Sequence, residues 1–355
     1  MDVNGYTLDR VDPLDLPEPE QEAIARLFQR TSAEVVPEDP ERPLEAILPR
    51  LRSKAPNEWD ARVRARDAAG TVVGWAGTSR SLNDPGNAHI GWTELMVHPD
   101  HRRKGLGRAL LMELARASGG QHPDLLFMGM ENDRVSAGAG FLRAMGARPG
   151  LPMKTNQLIL ADVDRAQVAA WSAIDAPGYT LERIDGVVPD RLMQAYLDAS
   201  NGMNDAPRGD LQMADWILTA EQVRDRESWR AQVGIESWLI VAVHEATGEG
   251  AGFTELSYDR KQPWVVWQQG TATIPAHRGH RLGLWMKAKN LERVLRDWPD
   301  ATYIRTGNAN TNAQMLGINT QLGFRVAWQS TIWQLPLAAV LSGAAAVPSV
   351  GAVTT

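Results

Sequence analysis

Apolar and polar positions alternate at Tyr6 to Val11 and again at Tyr179 to Ile184, which predicts two opening strands. Each is followed by a segment of helical periodicity, "PEQEAIARLFQR" in the first half and "PDRLMQAYLDAS" in the second. Two long alternating runs come next. "EWDARVRARDAAGTVVGWAGTSRS" breaks at Gly70 and "SWLIVAVHEATGEGAGFTELSY" breaks around Gly248 and Gly250, as hairpins do. A further strand, "GWTELMV" or "WQQGTATI", runs into a basic turn and then a helix. The predicted inner face of that helix is Leu110, Leu111 and Leu114 in the first copy, and Trp285, Ala288, Leu291 and Leu295 in the second. A short strand, a helix and a closing strand complete each copy, giving an α/β (α+β mixed-sheet) domain built twice.

The repeat is also literal. "GYTLDRVD" at Gly5 returns as "GYTLERID" at Gly178, 173 residues later, and Arg102 and Arg278 of the basic turns are 176 apart. Two unlike landmarks displaced together imply duplication of a whole domain. The division expected is 1–172 and 176–336, with a flexible tail over 337–355.

With 37 basic and 43 acidic residues the net charge is -6, so a basic site must be local and nucleic acid is not an expected partner. The absence of cysteine removes disulfides, thiolate metal sites and a cysteine nucleophile. The acidic start lacks the apolar segment of a secretory signal, and the small-residue end is interrupted by Gly343, Pro348 and Gly351. A cytoplasmic protein without membrane contact is expected, as monomer or homodimer. His277 and His280 lack a third ligand, so phosphate contact or solvent exposure is expected for them rather than a metal.

In "HPDHRRKGLGRALL" a strand ends in a glycine-bearing basic turn that starts a helix, which aims backbone N–H groups and a helix dipole at one spot. A phosphate or pyrophosphate is the natural occupant. No "GK[ST]" follows the glycines, so this is not a P-loop, and the dinucleotide fingerprint "GxGxxG" is absent. In the second turn, "PAHRGHRLGLWMK", Arg281 falls where the first glycine would stand, which makes that copy the less secure of the two.

"RRKGLG", residues 102 to 107, resembles the R/Q-x-x-G-x-G/A motif of the GNAT acyltransferase superfamily, preceded by "VHP". The two-copy layout is similar to the actinobacterial two-domain type typified by mycothiol synthases. The resemblance implies two GNAT-like domains that bind acetyl-CoA or another acyl-CoA and acylate the amine of a small molecule. In the first copy it assigns the coenzyme to Leu95, Met96, Val97, Arg102, Arg103, Lys104, Gly105, Leu106, Gly107 and Arg108. In the second it assigns Thr273, Ile274, Arg278, Gly279, His280, Arg281, Leu282, Gly283 and Asn312. Candidate bases are Glu94 and Glu255, or else these are strand carboxylates facing solvent or an arginine; Asp205 and Asp210 of "MNDAPRGDL" are candidates for attracting a cationic amine, or else part of a capping loop. The family's late-helix tyrosine is replaced by Leu142 and Asn319, and Val135 stands where the second copy has Asn312. Trp264, Trp267 and Trp285 either pack in the core or line an acceptor site. The richer polar equipment makes the C-terminal half the expected acetylating half. The alternative is a non-catalytic acyl-CoA-binding or regulatory protein.

Overall fold

The computed structural model describes residues 2–342. The first half runs β1 (Asp2–Val3), β2 (Tyr6–Arg10), α1 (Glu18–Val35), α2 (Leu44–Leu51), β3 (Glu58–Arg66), β4 (Val72–Ser81), β5 (Ile90–Val97), α3 (Leu106–Gly119), β6 (Leu126–Asn132), α4 (Gly138–Ala144), β7 (Arg148–Ile159) and α5 (Arg165–Ser172). The second repeats it as β8 (Tyr179–Asp185), α6 (Asp190–Ser200), α7 (Ala220–Val233), β9 (Glu236–His244), β10 (Gly250–Tyr258), β11 (Val265–Thr273), α8 (Leu282–Asp297), β12 (Tyr303–Ala309), α9 (Ala313–Gln321), β13 (Arg325–Pro336) and α10 (Leu337–Leu341).

All thirteen strands form one sheet in the order β1-β2-β3-β4-β5-β6-β13-β7-β12-β11-β10-β9-β8. The closing strands are exchanged: β13 enters between β6 and β7, and β7 enters between β13 and β12. Ile332 of β13 faces Met130 of β6 on one side and Leu151 of β7 on the other. The sheet therefore does not divide at residues 173–175. Nor does α5 stay with the first half, since Val168 lies in the core around α8 and Trp285 Nε1 donates to Ser172 O at 3.1 Å.

Side-chain alternation sets the layers. Leu106, Leu110, Leu111 and Leu114 of α3 pack on Val63, Ala65, Val73 and Ala76 on one face of the sheet. Ile24 and Leu27 of α1, with Leu51 of α2, pack on Val72 and Trp75 on the other. Burying a side chain such as Leu110 completely contributes about 1.5–3 kcal/mol. The second half repeats the scheme with α8 on one face and α6 and α7 on the other. Its α8 buries Leu284, Met286, Lys287, Ala288, Leu291 and Val294, a face rotated from the expected one so that a lysine points inward. The tail expected from residue 337 begins as helix α10, with Leu337 and Val340 in the core of the first half. Residues 343–355 of that tail lie outside the described residues. Among the described residues no helix is long and apolar enough to cross a membrane.

Candidate functional site

Each half contains one parallel strand pair that separates partway along. β5 pairs with β6 through Ile90↔Leu126, Gly91↔Phe127 and Trp92↔Met128, and no further. β11 pairs with β12 through Val265↔Tyr303, Val266↔Ile304 and Trp267↔Arg305, and likewise stops. Beyond these points Leu95, Met96 and Val97, and Thr273 with Ile274 after it, are not paired with β6 or β12. An extended ligand with amide groups can lie there as an additional strand.

Both β5 and β11 lead to turns of one backbone shape. Arg102 has φ -73°, ψ 162° and Arg278 has φ -73°, ψ 161°. Two left-handed residues follow in each copy, Arg103 (φ 63°) and Gly105 (φ 83°) in the first, Gly279 (φ 88°) and Arg281 (φ 58°) in the second. Each copy thus places its glycine at a different one of the two demanding positions. Arg281 does not spoil the second turn, because Gly279 relieves the position at which the first copy carries Arg103. Neither α3 nor α8 has a side-chain N-cap, whereas α7 has a full capping box. The uncapped first turns, starting at Leu106, Gly107 and Arg108 or Leu282 and Gly283, can offer N–H groups to an anion. A Cβ on Gly107 would meet Phe141 at 3.3 Å, and one on Gly283 would meet Ile318 at 3.2 Å, so glycine keeps α4 and α9 close.

The repeated tyrosine pins these turns. Tyr6 OH bonds His101 Nδ1 at 3.1 Å and Tyr179 OH bonds His277 Nδ1 at 2.9 Å. His277 is accordingly buried, with its Nε2 3.4 Å from Glu249 Oε2, while His280 stays exposed with its ring 5.0 Å from that of Tyr179. The leading arginines are also engaged. Arg102 Nε donates to Val97 O at 3.0 Å and its guanidinium grips Glu34 at 3.0 and 2.5 Å. Arg278 Nε donates to Thr273 O at 3.2 Å and Nη2 to Asp205 at 2.5 Å. Arg102 and Arg278 therefore brace the strand against an acid instead of pointing freely at a ligand, and Asp205, expected to meet an amine, is that acid in the second copy. Arg103, Lys104, Arg108, His280 and Arg281 remain exposed around the turns.

The two candidate bases occupy different strands and opposite environments. Glu94 of β5 is paired across the sheet with Gly77 of β4. A Cβ on Gly77 would lie 3.5 Å from Glu94 Oε1. In the second copy the carboxylate comes from the neighbouring strand: Glu255 of β10 faces a bulge at Gln269 and Gly270 of β11. Glutamate and glycine have traded strands. Glu94 is exposed, yet crowding by the surrounding protein removes enough water to push its carboxyl above the usual range. The Trp75 indole N–H, 2.8 Å away, and the Arg62 and Arg42 charges oppose the rise without cancelling it. Glu255 is only 4% exposed and is bonded to Arg230 and, at 2.9 Å, to Ser237. Burial raises it, but the charges of Arg230 and Arg226 outweigh burial and hold it below the usual range. Glu255 is thus engaged in an ion pair with Arg230, the second of the two arrangements expected for it.

Asn319, at the expected tyrosine position, is buried with Nδ2 on Asn308 Oδ1 at 2.8 Å and its own Oδ1 without a partner. Asn312 caps α9, accepting from Met315 N at 3.2 Å. Leu142 packs at the edge of the first core.

Between the halves lies a cavity of about 750 Å³, on the α1 and α2 side of the sheet. The segment between α1 and α2 crosses to the second half, where Asp39 grips Arg305 with both oxygens at 2.5 and 2.6 Å. Facing it are Ser257, Asp259, Trp264 and Trp267 of the second half, with Arg42 and Arg50 of the first also in the lining. The corresponding space on the other side is filled. There the segment after Asp205 crosses to the first half: Asp210 N donates to Gly150 O at 2.8 Å, and Leu211 and Met213 pack on Ile90, Leu126 and Met128. Asp210 is exposed at that crossing, away from Asp205. Trp285 belongs to the α5 contact and does not line the cavity. The periodic signals used on the sequence mark none of Arg42, Arg50, Arg230 and Lys287.

Residues 22–143 match the model of the acetyltransferase (GNAT) family. No curated protein matches the chain. Among solved structures it is similar to a tandem GNAT protein from the clavulanic acid biosynthesis pathway, solved without AcCoA, at 24% identity and TM-score 0.74 over 94% of this chain and 98% of that one. A GCN5-related N-acetyltransferase from Sphaerobacter thermophilus aligns at 15% identity and TM-score 0.63, covering 94% and 96% of the two chains. A putative acetyltransferase from Pyrococcus horikoshii aligns at 11% identity and TM-score 0.54, covering 95% and 91%. The family match lies within the first half. The chain as a whole has the tandem GNAT fold.

Proposed function

We propose that this chain is an acyl-CoA-dependent N-acyltransferase, using acetyl-CoA, that acylates the amine of a small molecule admitted through the cavity between its halves. The observation that carries the reading is the first-half arrangement of a separating strand pair, an uncapped anion-holding turn and an exposed carboxylate of raised pKa. The coenzyme supplies an activated acyl thioester. The chain supplies position and proton transfer: Thr93 to Val97 align the donor, the first turn of α3 takes its phosphates, and Glu94 accepts the proton of the attacking amine. A carboxyl held above its usual range is better matched to an ammonium than an ordinary one.

The preference for the C-terminal half suggested by its polar residues gives way here to the first half. Glu255 is committed to Arg230, and Asn319 cannot donate a proton of matched pKa. A coenzyme-binding, non-catalytic second half is favoured by those two contacts and by the intact backbone of its turn. Calorimetric titration with acetyl-CoA of the wild type, Gly105→Glu and Gly283→Glu tests the reading. Two sites lost one by one support it, and no binding to the wild type overturns it.

A further inference from the structure

The cavity between the halves is lined by four arginines, Arg30, Arg42, Arg50 and Arg305, against three carboxylates, Asp39, Glu41 and Asp259. Of its lining arginines, Arg305 is answered by both oxygens of Asp39. Arg50 has one carboxylate oxygen of Asp259 at 3.5 Å, and that carboxylate also accepts from Lys261 N at 3.0 Å and Gln262 Nε2 at 3.4 Å. The guanidinium of Arg42 has a single hydrogen bond among the described residues, from Nη2 to Ala46 O at 3.4 Å. The Nε atoms of both Arg42 and Arg50 are buried without a partner among the described residues. Among the described residues Arg42 makes no ion pair, its charge answered only at longer range by Asp259 and Glu94, and Arg50, its side chain 37% exposed, has only the already occupied carboxylate of Asp259. Such a pair is short of an anion.

We propose that the cavity is built for an acceptor that is itself an acid: a flat amine carrying a carboxylate or phosphate, whose oxyanion is taken by Arg42 and Arg50. Planar guanidinium forks recognise planar oxyanions by paired hydrogen bonds. The lining also includes the indoles of Trp264, Trp267 and Trp328, which suit a flat apolar body. Arg42 is the link to the chemistry, since its charge acts both on Asp259 in the cavity and on Glu94 at the separating strands. An acid-bearing amine can hold its anion on the arginines and present its amine to Glu94. This deepens the acyltransferase reading and rests on it for the role of Glu94, but the anion site stands on its own residues.

The test uses the full chain, without coenzyme, and follows quenching of tryptophan fluorescence. The probes are benzoate, phenyl phosphate, 4-(aminomethyl)benzoate and benzylamine. Saturable quenching is expected from 4-(aminomethyl)benzoate and from at least one of the two simple anions, the tighter of which identifies the oxyanion. Benzylamine is expected to bind at least tenfold more weakly. Arg42→Gln and Arg50→Gln should each weaken the anionic probes about tenfold or more while circular dichroism and acetyl-CoA calorimetry stay unchanged. The proposal is overturned if no anionic probe saturates by about 10 mM, a weak limit for any specific site. It is equally overturned if benzylamine binds as well as its carboxylate analogue, or if binding survives both substitutions. Failure of acetyl-CoA to bind with probe binding intact would instead remove the acyltransferase reading and leave the anion site standing.

Discussion

The two halves of this molecule keep one backbone and disagree about side chains. Their turns superimpose in φ and ψ although the glycine has moved from Gly105 to Gly279 between left-handed positions. Their carboxylates point from adjacent strands, Glu94 beside Gly77 in one and Glu255 beside Gly270 in the other. At the matching place on the inner helix Leu111 fills the first core and Lys287 enters the second. The backbone of the turns is retained through substitutions, whereas the carboxylates and the inner-helix side chains have been reassigned.

The largest expected break in this comparison is Glu94→Gln, which should lower kcat by about 10²–10⁴-fold with acetyl-CoA binding retained by calorimetry. Because the carboxyl of Glu94 lies above its usual range, wild-type kcat/KM should fall on acidification at a higher pH than an ordinary carboxylate would dictate. Glu255→Gln should act on stability instead. It leaves Arg230 without its anion and is expected to cost about 3–5 kcal/mol in urea denaturation. Since the folded pKa of Glu255 is lowered, its contribution is present above the unfolded value of 4.5 and disappears as pH falls through the folded one. The variant should lose that acid dependence.

Lys287 separates the cores in a third way. Burial lowers its ammonium from 10.5 to about 7, so the unfolded chain binds the additional proton between those values and stability should rise with pH across that window. Below about pH 7 both states carry the charge and the penalty is constant. Lys287→Met should therefore raise the Tm near neutral pH and flatten the alkaline rise. The smallest effect concerns the turns: Arg281→Gly should stabilise by about 1 kcal/mol and Gly279→Ala should destabilise by a similar amount, both read by thermal denaturation.

Much of this was legible in the sequence. Period-two and helical patterns mark the strand, turn and helix order, and the displaced "GYTL" and basic turns mark the duplication, whose mutual contact through Tyr6–His101 and Tyr179–His277 explains why they travel together. The exchange of closing strands was not legible, because β7 and β13 carry the same alternation whichever sheet receives them. Lys287 escaped because the helical face was phased on Trp285 and Leu295, and a lysine reads as polar. Arg42 and Arg50 lie in the proline-bracketed segment "RPLEAILPR", whose pattern gives no hint of a cavity. Glu94 and Glu255 were both visible, but only their surroundings distinguish a free carboxylate from one committed to an arginine.

The exchanged strands also bear on how the chain is born. Trp333 of β13 meets Glu131 of β6 across 202 residues, and Leu337 N seals onto Leu125 O. During synthesis the half that emerges first must wait with its β6 edge unpaired until β13 has left the ribosome. An exposed strand edge invites foreign pairing. The interval between the two ends of the chain is thus the period of greatest aggregation hazard, and cutting the gene at the repeat boundary would make that hazard permanent in both products.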